Sequence, residues 1–187
     1  MASSGNFSRR KLICLVGFMG CGKTTVGRLL AAQLAWRFVD LDERIERSAG
    51  ATISELFDRV GEPAFRDLER AELARALGEV IELEASTVLA LGGGTFAQPE
   101  AIAMLREFAA GRGVVTVWLD CPVEQLLARC ATMINRPLFR DEAGFRQLYA
   151  ARLPFYQKAD YRVSGGGDPR RVVERILALG FLEKVTA

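Results

Sequence analysis

The residues with the clearest chemistry lie in one short stretch, Gly17-Phe18-Met19-Gly20-Cys21-Gly22-Lys23-Thr24, which fits G-x-x-x-x-G-K-[ST] at every fixed position. Glycines allow successive backbone N–H groups to turn inward around a phosphate, and a following helix N-terminus adds partial positive charge. Lys23 can reach the β- and γ-phosphates of a nucleoside triphosphate, and the Thr24 hydroxyl suits a magnesium ion. A dinucleotide-binding fingerprint is the rival reading, since Asp42 lies about twenty residues past the glycines. The frame from Gly20 reads G-x-G-x-x-T, however, and the frame from Gly17 contains no G-x-G. A lysine in the turn is also superfluous for a pyrophosphate bridge. The triphosphate reading wins.

The elements around this stretch have to hold it at a sheet edge. Leu12 to Val16 is a short apolar run, and Val26, Leu29, Leu30 and Leu34 form a helical stripe after the glycines. Phe38 to Asp42 reads as a second strand carrying two carboxylates, Asp40 and Asp42, at its end. Gly50 suits a helix C-terminus, and Thr52-Ile53-Ser54-Glu55 is a capping box that opens the next helix. Gly61-Glu62-Pro63 interrupts it before a long charged helix from Ala64 to about Glu82. Thr87 to Leu91, Val114 to Leu119 and Tyr161 to Val163 complete five strands. Pro99 suits a first helical turn, Asp168-Pro169 an N-cap and first turn, and Pro154 a break or kink. Strands alternating with helices, the best of them continuously apolar, imply a mostly parallel sheet covered on both faces. The glycine turn, Asp40, Asp42 and Gly92-Gly93-Gly94 then share the edge at the strand C-termini.

Composition narrows the chemistry further. The 187 residues carry no histidine and a net charge of +2, and half of them are hydrophobic. Ser-His-Asp catalysis, Cys-His proteolysis and His-ligated zinc are excluded, and no overall field favours nucleic acid or an acidic membrane. Cys14, Cys21, Cys121 and Cys130 form no C-x-x-C pair, so metal and redox motifs are not expected. Cys14 and Cys130 read as core thiols in a reducing compartment. Cys21, beside a helix N-terminus, is a candidate for a thiol of lowered pKa. Arg9-Arg10-Lys11 before an apolar run superficially resembles a signal peptide, but the run is short and leads straight into Gly-Lys-Thr. No stretch has the length to span a bilayer. The expectation is a cytoplasmic protein, with residues 1–10 a flexible tail and 11–181 one domain.

Taken together, the glycine-lysine-threonine loop, Asp40-Leu41-Asp42, Phe65-Arg66-Asp67-Leu68-Glu69, Leu91-Gly92-Gly93-Gly94, Arg136-Pro137-Leu138 and Arg152 before Pro154-Phe155-Tyr156 resemble the shikimate kinase family. The likeness runs from about Lys11 to Leu179. It implies a P-loop kinase fold, a three-layer α/β sandwich around a central five-stranded parallel sheet. It further implies mobile substrate-binding and lid segments at about 42–82 and 132–143. By resemblance, Gly20, Cys21, Gly22, Lys23, Thr24 and Thr25 bind ATP, the co-substrate, with Mg²⁺ on Thr24 directly and on Asp40 through water. Asp42 contacts the substrate hydroxyls and offers a base for the 3-hydroxyl proton. Arg66 and Arg152 grip the carboxylate, a group that a planar guanidinium fork fits. Gly92, Gly93 and Gly94 allow close backbone approach, and Phe57 and Phe65 are apolar walls. Glu69 orients Arg66 from one helical turn away. Arg136 is the lid arginine that closes on the phosphates, making Lys23, Asp42 and Arg136 the catalytic set. Arg129 and Pro169 flank adenine, although Gly165-Gly166-Gly167 departs from the polar side chains that relatives place before that proline.

The implied activity is ATP-dependent phosphorylation of shikimate, on the way to chorismate and the aromatic amino acids, by a monomer with no nucleic-acid or membrane partner. Two alternatives stand beside it: a kinase of another small hydroxy acid such as gluconate, and a non-catalytic sensor that keeps the fold. Lys23, Asp40, Asp42, Arg66, Arg136 and Arg152 together favour catalysis over sensing.

Overall fold

A computed structural model describes residues 11–110, 113–131 and 141–181. Residues 1–10, Arg136 and positions 132–140 of the expected lid lie outside the described residues.

Five strands build one parallel sheet: β1 (Lys11–Val16), β2 (Arg37–Asp40), β3 (Thr87–Ala90), β4 (Gly113–Asp120) and β5 (Tyr161–Ser164), in the order β2-β3-β1-β4-β5. Leu12 to Val16 and all of β3 are buried, as continuous apolar runs demand of strands covered on both faces. Helices α1 (Lys23–Leu34) and α7 (Pro169–Leu177) pack together, α1 also over β2 and β3. On the other side α3 (Ile53–Glu82) packs against α4 (Pro99–Ala109), and α4 against β4. The remaining helices are α2 (Leu41–Ala49), α5 (Val123–Ala131) and α6 (Glu142–Tyr156). From β1 the chain moves outward past β3 to the β2 edge, returns to β3, then crosses to β4 on the far side of β1. The strand order reverses beside β1, so a crevice opens at its C-terminal end.

Local signals set several helix boundaries. Thr52 and Glu55 form the expected capping box, a feature worth about 1 kcal/mol. Gly50 closes α2 in a left-handed conformation, Pro99 opens α4, and the Asp168 carboxylate accepts from the Arg170 N–H at the start of α7. Gly61 (φ 74°, ψ 170°) leaves helical geometry, so α3 is two helical stretches meeting at the interruption the sequence places at Gly61-Glu62-Pro63.

Three expectations need correction. β2 ends at Asp40, and Asp42 sits in the first turn of α2. Asp40 accepts from the Asp42 and Glu43 N–H groups as the N-cap, so the first turn of a helix, and not a continuing strand, sets where the Asp42 carboxylate lies. Pro154 does not break α6, which runs on to Tyr156. A proline so close to a helix end costs one bond of the last turn and leaves the preceding ladder intact. A 3₁₀ turn, Thr95–Ala97, follows the triple glycine and was not anticipated.

An ion-pair group ties α2 to α3 and β2. Arg44 grips Glu79 with two bonds of 2.9 and 2.7 Å, Arg37 adds a third of 2.9 Å, and Arg44 also reaches Glu72, which pairs with Arg75. Hydrogen bonds from Arg44 and then Arg37 hold the Glu79 carboxyl down at about 2. Among the described residues no helix is long and apolar enough to cross a membrane.

Candidate active site

The loop between β1 and α1 turns through left-handed glycines at Gly20 (φ 78°) and Gly22 (φ 95°), a conformation that L side chains rarely adopt. The resulting concavity is built by backbone, with the α1 N-terminus behind it. Lys23 folds back into it, donating to the carbonyls of Gly17 at 2.8 Å and Phe18 at 3.1 Å. Thr24 Oγ1 donates to Asp40 Oδ2 at 2.6 Å, joining the loop to the end of β2.

The structure also accounts for Cys21. Its side chain is 1% exposed, and a Cβ on Gly17 would lie 2.9 Å from its sulfur. The thiol therefore packs beneath the loop, and the position suits a small side chain. Buried in this way, it does not form the accessible reactive thiol that the sequence suggested. Cys121 donates its S–H to the Cys21 carbonyl at 3.7 Å. Cys14 and Cys130 are buried in the core, as expected.

Beside the loop lies a cleft of about 380 Å³ that brings together Thr24, Asp40, Asp42, Phe57, Phe65, Arg66, Gly93, Gly94 and Arg152. Met19, Glu43 and Ile53 share its wall without having been singled out, since nothing in their spacing marks them. Gly92 stands just behind. A Cβ there would lie 2.6 Å from both Asp42 Oδ1 and Glu69 Oε1, so the two carboxylates converge on the space the missing side chain leaves open. Gly94 is pressed against the Arg66 guanidinium, where a Cβ would come within 2.5 Å of Nη1.

The two arginines are held differently. Arg66 Nη1 donates to Glu69 at 2.8 Å and Nη2 to Glu62 at 2.8 Å, and its guanidinium lies 5.6 and 5.4 Å from the Phe57 and Phe65 ring centres. Burial works against its charge, but Glu69 first and Glu62 second leave its pKa raised. Glu69 is itself 1% exposed and also accepts from Thr95 Oγ1 at 2.6 Å and Gln98 Nε2 at 2.5 Å. It is thus a fully engaged anchor, and the expected i, i+3 pair is only one of its bonds. Arg152 is only 6% exposed, rests over the Phe18 ring at 5.6 Å and donates to the Gly93 carbonyl at 3.3 Å. Among the described residues no carboxylate pairs with it. Burial, with Arg66 as a repelling neighbour, pulls its pKa down. Arginine nevertheless stays charged, so this is a buried cation in want of an anion.

The expected adenine contacts are not in the cleft. Arg129 donates to the Gly20 carbonyl at 3.1 Å, bracing the loop from α5. Pro169 opens α7 beyond the Gly165 N–H, which donates to the Asp120 carbonyl at 2.7 Å.

A backbone anion cradle at a strand end, its lysine and threonine in place, beside a small cleft walled by arginines, defines a P-loop kinase of a small molecule. Comparison with known proteins narrows that class. The family model described as shikimate kinase matches residues 19–179. A shikimate kinase from Caulobacter vibrioides is 44% identical over 173 residues, 90% of this chain and 82% of that one. The solved structure of shikimate kinase from Acinetobacter baumannii in complex with shikimate superposes with a TM-score of 0.82 at 39% identity, covering 95% of this chain and 97% of that one. The chain belongs to the shikimate kinase family. A gluconokinase from Sinorhizobium meliloti, at 19% identity and a TM-score of 0.58 over 95% of this chain and 96% of that one, shares the fold alone.

Proposed function

We propose that this chain transfers the γ-phosphoryl group of ATP to the 3-hydroxyl of shikimate, giving ADP and 3-phosphoshikimate on the route to chorismate. Family membership supports the activity. The single observation that carries the acceptor is the buried Arg152, paired with no carboxylate among the described residues, sharing a cleft with Arg66 and Asp42. A small carboxylated triol needs a cationic grip at one end and a hydroxyl-binding carboxylate at the other, and this cleft offers both.

In this reading Arg152 and Arg66 hold the acceptor carboxylate, with Glu69 fixing Arg66. Asp42, in the first turn of α2, takes the hydroxyl end and accepts its proton. Phe57 and Phe65 exclude water from one wall, which suppresses futile hydrolysis of ATP. Lys23 leaves the Gly17 and Phe18 carbonyls for the phosphates, and the loop N–H groups neutralise charge spread over the transferring group. Arg129 steadies the loop through Gly20.

A magnesium ion belongs to the same proposal. The Thr24 hydroxyl and Asp40 Oδ2 meet at 2.6 Å beside the cradle, while Asp40 Oδ1 is committed to capping α2. One hydroxyl and one carboxylate oxygen outside the helix cap suit an octahedral ion that keeps several waters and takes phosphate oxygens. When bound, the ion would neutralise phosphate charge and orient the leaving group.

The decisive experiment is a coupled ADP-release assay with magnesium and either shikimate or gluconate. Shikimate-dependent release is the expected result. Gluconate turnover without shikimate turnover would reassign the acceptor, and release with neither would return the chain to the sensor reading.

A further inference from the structure

The carbonyl oxygen of Gly93 receives two donors from α6. The Tyr156 hydroxyl lies at 2.5 Å, and Arg152 Nη1, one helical turn earlier, at 3.3 Å. Tyr156 is completely buried, with its ring stacked on Trp118 at 6.2 Å between centroids. Burial pushes its phenol far above the ordinary range. It therefore keeps its proton and serves as a donor at every working pH.

That bond has two consequences for the cleft. In a planar trans peptide the C=O and the following N–H point to opposite sides, and no cis bond is present among the described residues. Drawing the Gly93 carbonyl toward α6 turns the Gly94 N–H the other way, and both glycines line the cleft. Arg152 is affected as well. Because the phenol accepts from Arg152 and itself makes the short bond to Gly93, the guanidinium keeps only a long bond to that carbonyl and still lines the cleft. Without the hydroxyl, Arg152 would be the sole donor left to that carbonyl and would be drawn onto it.

We propose that Tyr156 is a positioning residue for the acceptor: its hydroxyl sets the Gly93–Gly94 peptide and reserves Arg152 for the acceptor carboxylate. This rests on the shikimate reading and deepens it. The residue touches no substrate and acts through Gly93 and Arg152 alone.

Tyr156→Phe removes the hydroxyl and keeps the ring, so initial rates with shikimate and ATP varied separately test the role. The expected result is a shikimate KM raised about tenfold, the size of one buried hydrogen bond, with kcat and the ATP KM within about twofold. Trp118→Phe is the packing comparison, because it loosens the stack and retains the hydroxyl. It should lower the melting temperature and leave the shikimate KM unchanged. An unchanged shikimate KM in Tyr156→Phe would overturn the proposal. So would an equal rise for both substrates, or an equal rise in Trp118→Phe. Wild-type turnover in the same assay reports on the acceptor independently, so a chain that ignores shikimate fails the parent reading and not the tyrosine.

Discussion

In the proposed reading, the glycine loop and the cleft beside it recognise anions by opposite means. On the phosphate side, backbone N–H groups and one lysine from a single turn make the site, and its charge is mostly a matter of dipoles. On the acceptor side, guanidinium groups from α3 and α6 make it, Arg66 held by carboxylates and Arg152, among the described residues, by none. A backbone cradle serves any phosphate and favours positioning for transfer. A fixed fork of side chains serves one carboxylate and favours selection. The difference assigns turnover to one half and acceptor affinity to the other.

Lys23→Ala probes that division with the largest expected effect. Removing a charge that acts on the transferring group should lower kcat by about a hundredfold to a thousandfold, with the shikimate KM nearly unchanged in steady-state kinetics. If the loss appeared in the shikimate KM instead, the two halves would not be separable. Arg66→Ala should do the converse. The shikimate dissociation constant is expected to rise about tenfold to a hundredfold for one charge-assisted contact, while calorimetry shows ATP binding little altered. Equal shikimate affinity in that variant would remove Arg66 from the pocket.

The smallest effect concerns what steadies the acceptor side. Glu79, which ties α2 to α3, has its carboxyl lowered from 4.5 to about 2. A depressed carboxyl stabilises the fold above the unfolded value and loses that contribution as pH falls through the folded one. Glu79→Gln should therefore melt below wild type at neutral pH, and the gap should close between pH 4.5 and about 2. A gap that persisted to the acid end of a thermal-melt series would mean that the pairing with Arg44 contributes nothing.

Legibility in the sequence divides along the same line. The shape of the glycine loop was readable in full, since Gly20, Gly22, Lys23 and Thr24 sit at a spacing that backbone geometry dictates. The caps at Thr52 and Asp168 and the start at Pro99 were readable for the same local reason. The acceptor side needed the resemblance, because Asp42, Arg66 and Arg152 come from segments far apart in the chain and a lone arginine on a helix carries no signal. Glu69 was visible only as a helical neighbour of Arg66. Its bonds to Thr95 and Gln98 depend on a 3₁₀ turn that the glycine run did not announce. Asp42 was placed on a strand because Phe38 to Asp42 reads as one short strand ending in two carboxylates. The Asp40 cap ended that strand early, since a short side-chain bond to the next N–H groups competes well with a ladder at a sheet edge.

By itself, the sequence determined the parallel sheet, the phosphate loop and the family, since contiguous spacing and periodicity encode each of them. Tertiary structure alone decided that Cys21 must be small against Gly17, that two carboxylates converge at Gly92, and that Arg152 lies buried beside Tyr156 with no carboxylate partner among the described residues. Those are distances between groups remote in the chain, and only packing the helices onto the sheet gives them values.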